Sequence, residues 1–88
     1  MTKQIFHHCK VKVPIIHCDE LWRRLASQRN PIVELSATVQ PDGSCHVYHI
    51  AANESNHRHI LWTKELYAYL DKAATENYLS TLKQKEAA

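Results

Sequence analysis

The stretch that decides the fold is residues 32–51, which read IVELSATVQ, PDG and SCHVYHIA in turn. Apolar side chains occupy alternate positions from 33 to 39, and this period of two is typical of a strand that buries one face. The Pro41-Asp42-Gly43 segment predicts a turn, because proline presets the first turn dihedral and Gly43 can take the left-handed conformation that closes a three-residue hairpin loop. Two antiparallel strands joined by this turn are therefore predicted.

The turn also predicts a register for the hairpin. If Gln40 and Ser44 flank the loop, four pairs of residues face one another on the core side: Val39 and Cys45, Ala37 and Val47, Leu35 and His49, and Val33 and Ala51. This register directs Cys45 and His49 toward the core.

Outward from the hairpin, one more strand and two helices are predicted. Residues 5–13 alternate in the same way as the hairpin strands. Asp19 is a suitable N-cap for a helix that ends before Pro31, since the residue before a proline is pushed out of helical geometry. Thr63 is a suitable N-cap for the last helix. Its apolar stripe is Leu66, Tyr69, Leu70 and Ala73.

The resulting β-α-β-β-α order predicts an α+β fold with a single antiparallel sheet and helices packed on one face. A right-handed crossover would place the first strand beside the third, in a ferredoxin-like arrangement or a truncated variant of it. Residues 1–88 are expected to form one domain, with residues 83–88 as a frayed tail. A break in the last helix is predicted near Thr75. Residues 53–56 are predicted to be a polar loop, and residues 57–62 fit either a strand continuation or the start of a helix.

Composition narrows the function classes. The single glycine argues against nucleotide-binding folds, whose phosphate loops need several. The 11 basic and 9 acidic residues give a net charge of +2 without a basic stripe, so nucleic-acid binding is unsupported. No apolar run is long enough for a membrane helix. The odd number of three cysteines argues against a complete disulfide framework and favours a reducing cytoplasm.

Histidine is the one compositional anomaly, with 7 residues in a chain of 88. If the first and third strands are neighbours, one face brings together a Cys₂His₂ set that could bind zinc: His7, Cys9, Cys45 and His49. The alternative is that these are ordinary core residues, because free cysteine is among the most buried residue types and no C-x-x-C knuckle is present. No other cofactor is expected.

Catalytic residues are not predicted. Cys18 lies at a helix start, where the helix dipole could lower the pKa of a thiol, and Asp19 or Glu34 could in principle orient a histidine base for it. Adjacency in sequence does not define such a triad. A plain residue near the helix cap is the simpler interpretation of Cys18.

The second face of the predicted sheet is the candidate interaction surface. Two helices on one side leave the other side uncovered, and an apolar centre with polar surroundings is typical of a partner surface. The residues predicted there are Phe6, His8, Lys10, His46, Tyr48 and Ile50.

Two stretches resemble the dimeric α/β-barrel proteins, a group that includes stress-responsive barrel proteins and small cofactor-free monooxygenases. They are residues 6–13, FHHCKVKV, and residues 66–74, LYAYLDKAA, followed by Tyr78 and Leu82. The resemblance implies that two sheets pair across a dimer to enclose a barrel. The fourth strand of that family is missing here, and no catalytic residue can be carried over.

Three functional hypotheses follow from the sequence. The first is a non-enzymatic binding or protein-interaction module that forms a homodimer through the uncovered sheet face. The second is a transition-metal binding protein that uses the histidine and cysteine set. The third is a small cofactor-free barrel enzyme that acts on an apolar small molecule.

Overall fold

A computed structural model of the protein describes residues 4–25 and 30–87. Three strands, β1 (Ile5–Lys12), β2 (Ile32–Val39) and β3 (Cys45–Ala51), form one antiparallel sheet. Three α-helices accompany it in this part of the chain, α1 (Glu20–Leu25), α2 (Glu54–His59) and α3 (Lys64–Ala87), together with a short 3₁₀ helix (Ile15–His17). The predicted α+β class, with a single antiparallel sheet and helices packed against it, is therefore confirmed.

The predicted strand order is wrong. The sheet runs β1-β2-β3, so β2 is central, and β1 does not lie beside β3. β1 and β2 are antiparallel. Just after the end of β1 and just before the start of β2, the Val13 N–H donates to the Pro31 carbonyl at 2.7 Å. The right-handed crossover rule governs parallel strands and does not apply to this pair. The ferredoxin-like arrangement is consequently not confirmed.

The hairpin register is correct up to its middle and then changes. Val39 faces Cys45 and Ala37 faces Val47, but a β-bulge follows, after which Ser36 faces His49 and Leu35 faces Ile50. The extra residue in the bulge is Tyr48. Because a bulge shifts the alternation by one residue, Ile50 points inward and His49 outward, the reverse of the prediction. The exchange places an aliphatic side chain against the core in place of an imidazole, whose burial without partners would be unfavourable.

The core lies between the sheet and α3. Leu66, Leu70 and Ala74 recur every four residues along α3 and are fully buried against Val33 and Leu35 of β2. The inward directions predicted for the apolar residues of β2, and for Cys45 and Val47, are confirmed. In the predicted stripe of α3, Ala74 takes the fully buried position instead of Ala73.

Helix α3 is one continuous element of 24 residues, so the predicted break near Thr75 is wrong. The Thr63 hydroxyl accepts from the Leu66 N–H at 3.2 Å, which confirms Thr63 as the residue that caps the helix start. Thr75 interrupts the apolar stripe because its hydroxyl donates to the Asp71 carbonyl and accepts from the Cys45 N–H, both at 2.8 Å. No helix of the described residues has the length and apolar character to cross a membrane. Ala88 lies outside the described residues, and fraying of residues 83–88 stays a prediction.

The two short helices lie near the start of α3. Asp19 caps α1 as predicted, by accepting from the Trp22 N–H at 2.8 Å, while residues 26–29 of the predicted helix lie outside the described residues. Residues 54–59, predicted in part as a polar loop, form α2, whose N-cap Asn53 accepts from the Asn56 N–H at 2.7 Å. A single β-bridge between Cys18 and Ile60 joins the two regions.

Candidate interaction surface and neighbouring groups

The sheet face turned away from α3, called the outer face here, is the candidate interaction surface. It follows the even positions of β1 and β2 and continues on β3 through the bulge. Its residues are Phe6, His8, Lys10, Lys12, Ile32, Glu34, Ser36, Thr38, His46, Tyr48, His49 and Ala51.

An aromatic pair on this face joins the two outer strands, with Phe6 on β1 and Tyr48 on β3. The rings of Phe6 and Tyr48 meet in a T-shaped arrangement with their centroids 6.0 Å apart. Both remain about half exposed, at 52% and 55%. The bulge gives Tyr48 this position, because it holds an additional outward side chain between His46 and His49. A large apolar area is thus left in contact with water.

Polar side chains surround the aromatic pair and are engaged with one another. His8 Nδ1 lies 3.0 Å from the Ser36 hydroxyl, and Lys10 Nζ lies 3.7 Å from a Glu34 carboxylate oxygen. The Lys10 and Glu34 side chains are largely exposed, so their attraction is screened by water and contributes little to stability. The outer face therefore presents two positive groups, Lys10 and Lys12, and one negative group, Glu34, beside a neutral aromatic centre.

Ile50 does not belong to this surface, contrary to the prediction. It faces Leu35 and packs against the core, because the bulge changes its direction. His49 takes an outer-face position in its place, opposite Ser36. The remaining five residues predicted for the surface have exposed side chains.

The four predicted zinc ligands are not gathered at one point. His7 Nε2 lies 2.7 Å from the Asn77 amide oxygen, and its ring packs on Tyr78 at a centroid distance of 5.3 Å. Cys9 and Cys45 face the core, whereas His49 points to the outer face. Within residues 4–25 and 30–87, no group of three or more histidine, cysteine, aspartate or glutamate side chains is arranged to hold a metal ion.

The cysteine thiols are not activated. Burial raises the pKa of Cys18, and the neighbouring Asp19 charge adds to this, outweighing the lowering by Arg23. The pKa of Cys18 is therefore raised at the helix start, whereas a reactive cysteine would need it lowered. Burial also raises the pKa of Cys9 and of Cys45. A thiol is a poor nucleophile when its thiolate is disfavoured, so none of these residues has the environment of a catalytic cysteine.

Asp19 forms a contact that the sequence did not indicate. Its carboxylate oxygens lie 3.0 and 3.2 Å from His59 Nδ1, and the Trp22 ring packs at a tilt against His59 with a centroid distance of 5.5 Å. The backbone N–H of Trp22, and then the His59 side chain, stabilise the carboxylate and lower the pKa of Asp19. Cys18 takes no part, since its thiol is directed at the Pro14 carbonyl. The arrangement joins α1 to α2 and contains no nucleophile.

A second feature that the sequence did not indicate is an aromatic groove of about 470 Å³ beside the C-terminal half of β3. His57, Trp62 and Tyr67 form a row of rings with successive centroid distances of 5.2 and 6.1 Å. Tyr48 and His49 line the opposite side. Trp62 and Tyr67, which lie close together in sequence at the start of α3, were the only sign of this groove in the sequence. They were not sufficient, because α2, which brings His57 beside Trp62, was not predicted.

Comparison with known proteins gives no significant match to a family model, a curated protein or a solved structure. The resemblance to the dimeric α/β-barrel proteins thus remains an expectation from the sequence.

Proposed function

We propose that the protein is a small binding module that associates with a second copy of itself through the outer face. The observation that carries this proposal is the Phe6 and Tyr48 pair, in which two half-exposed aromatic rings stand on the sheet face opposite α3. Tyrosine and phenylalanine are enriched where proteins meet, because each buries a large area at a small entropic cost. A cytosolic setting agrees with the free thiols of the three cysteines.

Charge favours a second copy as the occupant. Lys10 and Glu34 lie side by side on the outer face, so two copies related by a two-fold axis can place each Lys10 near a Glu34. A strongly basic or acidic partner would find no field of opposite sign there. With neutral histidines, the two lysines and the one glutamate leave the face with a net charge of +1, so self-repulsion is small.

The size of the face sets the expected strength. Three strands of about eight residues span roughly 14 by 27 Å, or about 400 Å² in projection. A standard interface buries about 800 Å² on each partner, so the dimer is expected to be weak and to depend on concentration.

Sedimentation velocity from low to high micromolar concentration tests the proposal. We expect the sedimentation coefficient of the wild type to rise with concentration, and Tyr48→Ala to shift that rise to higher concentration. Leu79→Ala is the control, because Leu79 is also a partly exposed apolar residue, at 43%, but lies on α3 and does not line the groove next to Tyr48. A wild type that stays monomeric throughout, or equal effects of the two variants, would contradict the proposal.

The aromatic groove supports a second candidate, the binding of a planar apolar small molecule. The row of tilted rings offers flat faces to such a ligand, and the imidazoles of His49 and His57, which line the groove, supply hydrogen-bonding groups. No catalytic role is included, because the described residues of the groove contain no activated nucleophile.

Binding of the fluorescent probe 8-anilinonaphthalene-1-sulfonate tests this candidate. We expect the probe to bind the wild type and to bind Trp62→Ala at least about tenfold more weakly, since removal of the central ring deletes a main contact surface. Trp22→Phe is the control, because Trp22 packs against His59 outside the groove. Equal affinity for wild type and Trp62→Ala would exclude the groove as the binding site.

A further inference from the structure

The two edge strands of the sheet, β1 and β3, differ in the hydrogen bonds that their outward backbone groups make. At the β3 edge, the backbone N–H groups of Cys45 and Val47 donate to Thr75 and Asp71 of α3, at 2.8 and 2.9 Å. In the described part of the chain, no side-chain, loop or turn hydrogen bond reaches the backbone of Phe6, His8 or Lys10 on β1. One edge is closed by the helix and the other is open.

The register identifies which groups the open edge presents. In an antiparallel pair, the backbone groups of alternate residues point toward the neighbouring strand and those of the others point away. The Val13 N–H points toward the β2 side, at the Pro31 carbonyl, so the odd positions of β1 face β2. The even positions, Phe6, His8 and Lys10, consequently direct their N–H and C=O groups outward. The Lys12 carbonyl agrees with this alternation, since it accepts from the Tyr69 hydroxyl at 3.3 Å.

We propose that β1 pairs antiparallel with β1 of a second copy, which extends the sheet from three strands to six. The two-fold axis passes beside His8, so that His8 faces His8 of the second copy and Phe6 faces its Lys10. This register uses the outward groups of all three residues in both copies. It also leaves out Lys12, whose carbonyl is already bound to Tyr69.

The side chains of β1 suit this pairing. Lys10 and Lys12 are the positive groups of the strand, and in this register Lys10 lies opposite the exposed ring of Phe6 instead of opposite another lysine. An ammonium group over an aromatic face is attracted by the ring electrons. On the other face, Ile5 lies opposite Val11 of the second copy, and Ile5 is 51% exposed in the single chain. An open edge of eight residues without proline is a ready template for another strand.

The inference stands apart from the proposed function, because it joins two copies through backbone groups at the sheet edge and does not require one outer face to lie on another. The two contacts can be told apart by amide hydrogen exchange. Edge pairing slows exchange at Phe6, His8 and Lys10 as concentration rises, while a face contact leaves these backbone groups open. We expect the exchange rates of these three amides to fall by at least about tenfold from low to high micromolar concentration, since paired amides exchange only when the pairing opens.

Proline substitutions test the alternation. His8→Pro removes an outward N–H, so the variant is expected to keep its circular dichroism spectrum and lose edge pairing. His8→Ala is the matched control for the side chain, and it should retain the concentration-dependent protection of Phe6 and Lys10. Cys9→Pro removes an N–H that faces β2 and is expected to unfold the domain. Persistence of the protection in His8→Pro would overturn the proposal.

A disulfide tests the register. His7 lies opposite Cys9 of the second copy in a non-hydrogen-bonded pair, where the Cα atoms are about 4.5 Å apart and within disulfide range. Mild oxidation of His7→Cys should therefore give a covalent dimer on non-reducing gels, and the wild type should remain monomeric under the same conditions. A wild-type dimer linked through Cys9 would overturn this register. Concentration-independent exchange of Phe6, His8 and Lys10 would overturn edge pairing itself, whatever the outcome for Tyr48→Ala.

Discussion

Asp71 on α3 accepts a hydrogen bond from the backbone N–H of Val47 on β3 at 2.9 Å. One turn further along the helix, Thr75 accepts from the Cys45 N–H. The helix thus supplies polar partners to the edge of the sheet as well as apolar side chains to its core. Edge N–H groups without partners are sites of unwanted strand pairing, so this contact protects the β3 edge.

Removal of the Asp71 carboxylate is expected to destabilise the fold. Asp71→Ala leaves the partly buried Val47 N–H without its acceptor, and such a loss costs about 1–3 kcal/mol. Asp71→Asn keeps an acceptor oxygen and is expected to cost less than about 1 kcal/mol. Urea unfolding of both variants measures the difference. Equal destabilisation would mean that charge, and not the hydrogen bond, is the important property.

Because of the β-bulge, substitutions of two neighbouring residues are expected to differ strongly in their effect on the free energy of unfolding. Ile50→Ala removes a side chain packed against the core, and we expect a loss of about 1–3 kcal/mol, below the ~2–5 kcal/mol of a fully buried site. His49→Ala alters an exposed residue and should change stability by no more than about 0.5 kcal/mol. Urea unfolding again provides the measurement. The reverse order of effects would indicate a regular ladder without the bulge.

The sequence predicted the elements whose causes are local. Gly43 has φ of 92°, as the hairpin turn required, and the caps Asp19 and Thr63 lie where short-range rules placed them. The bulge was missed because strict alternation from Cys45 leads to His49, and no glycine marks the irregularity. The apolar residues at 47 and 50, three positions apart, were the only available sign of it.

The strand order and the polar contacts were not predictable from local patterns. The order depended on choosing a parallel neighbour for β1, whereas the chain pairs β1 with β2 in the antiparallel sense. Thr75 looked like a helix breaker because its hydrogen bond to the distant Cys45 could not be seen in sequence. The outer face was predicted in outline, and the error at Ile50 followed directly from the missed bulge.

The thiols predict a loss of stability at alkaline pH. Burial raises the pKa of Cys9, Cys18 and Cys45, so the folded protein keeps protons that the unfolded chain releases above about pH 8.5. The stabilising contribution is therefore complete below that pH and declines as pH rises through the folded pKa values. Chemical unfolding across the alkaline range measures the decline, and Cys18→Ala should make it shallower. An identical pH dependence in the variant would contradict this assignment.

The same three thiols should react slowly in the folded protein. Cys18 is fully buried and Cys45 nearly so, whereas Cys9 is partly exposed. We expect iodoacetamide to modify Cys9 first and to reach the other two only when denaturant is added, because a disfavoured thiolate and restricted access act together. Peptide mass spectrometry after timed labelling gives the order. Rapid labelling of Cys18 without denaturant would show that the contact between residues 17–19 and 59–61 opens readily.

Asp19 predicts a loss of stability at acid pH. Its pKa is lowered by the Trp22 N–H and then by His59, so the folded state binds the proton less readily than the unfolded chain does. The contribution to stability is present above the ordinary aspartate pKa of about 4 and disappears as pH falls through the lower folded value. Asp19→Ala should therefore be less stable than wild type at neutral pH, with the difference shrinking in acid.

Asp19→Asn separates the two partners of this carboxylate. An asparagine oxygen can still accept from the Trp22 N–H as an N-cap, but it carries no charge for His59. If the cap is the larger contribution, Asp19→Asn will resemble wild type in stability at neutral pH while losing the acid dependence. If the His59 contact is the larger one, Asp19→Asn will resemble Asp19→Ala. Retention of the full acid dependence in both variants would assign it to a different carboxylate, with Asp42 as the other group whose pKa is lowered, by its hydrogen bonds from Ser44.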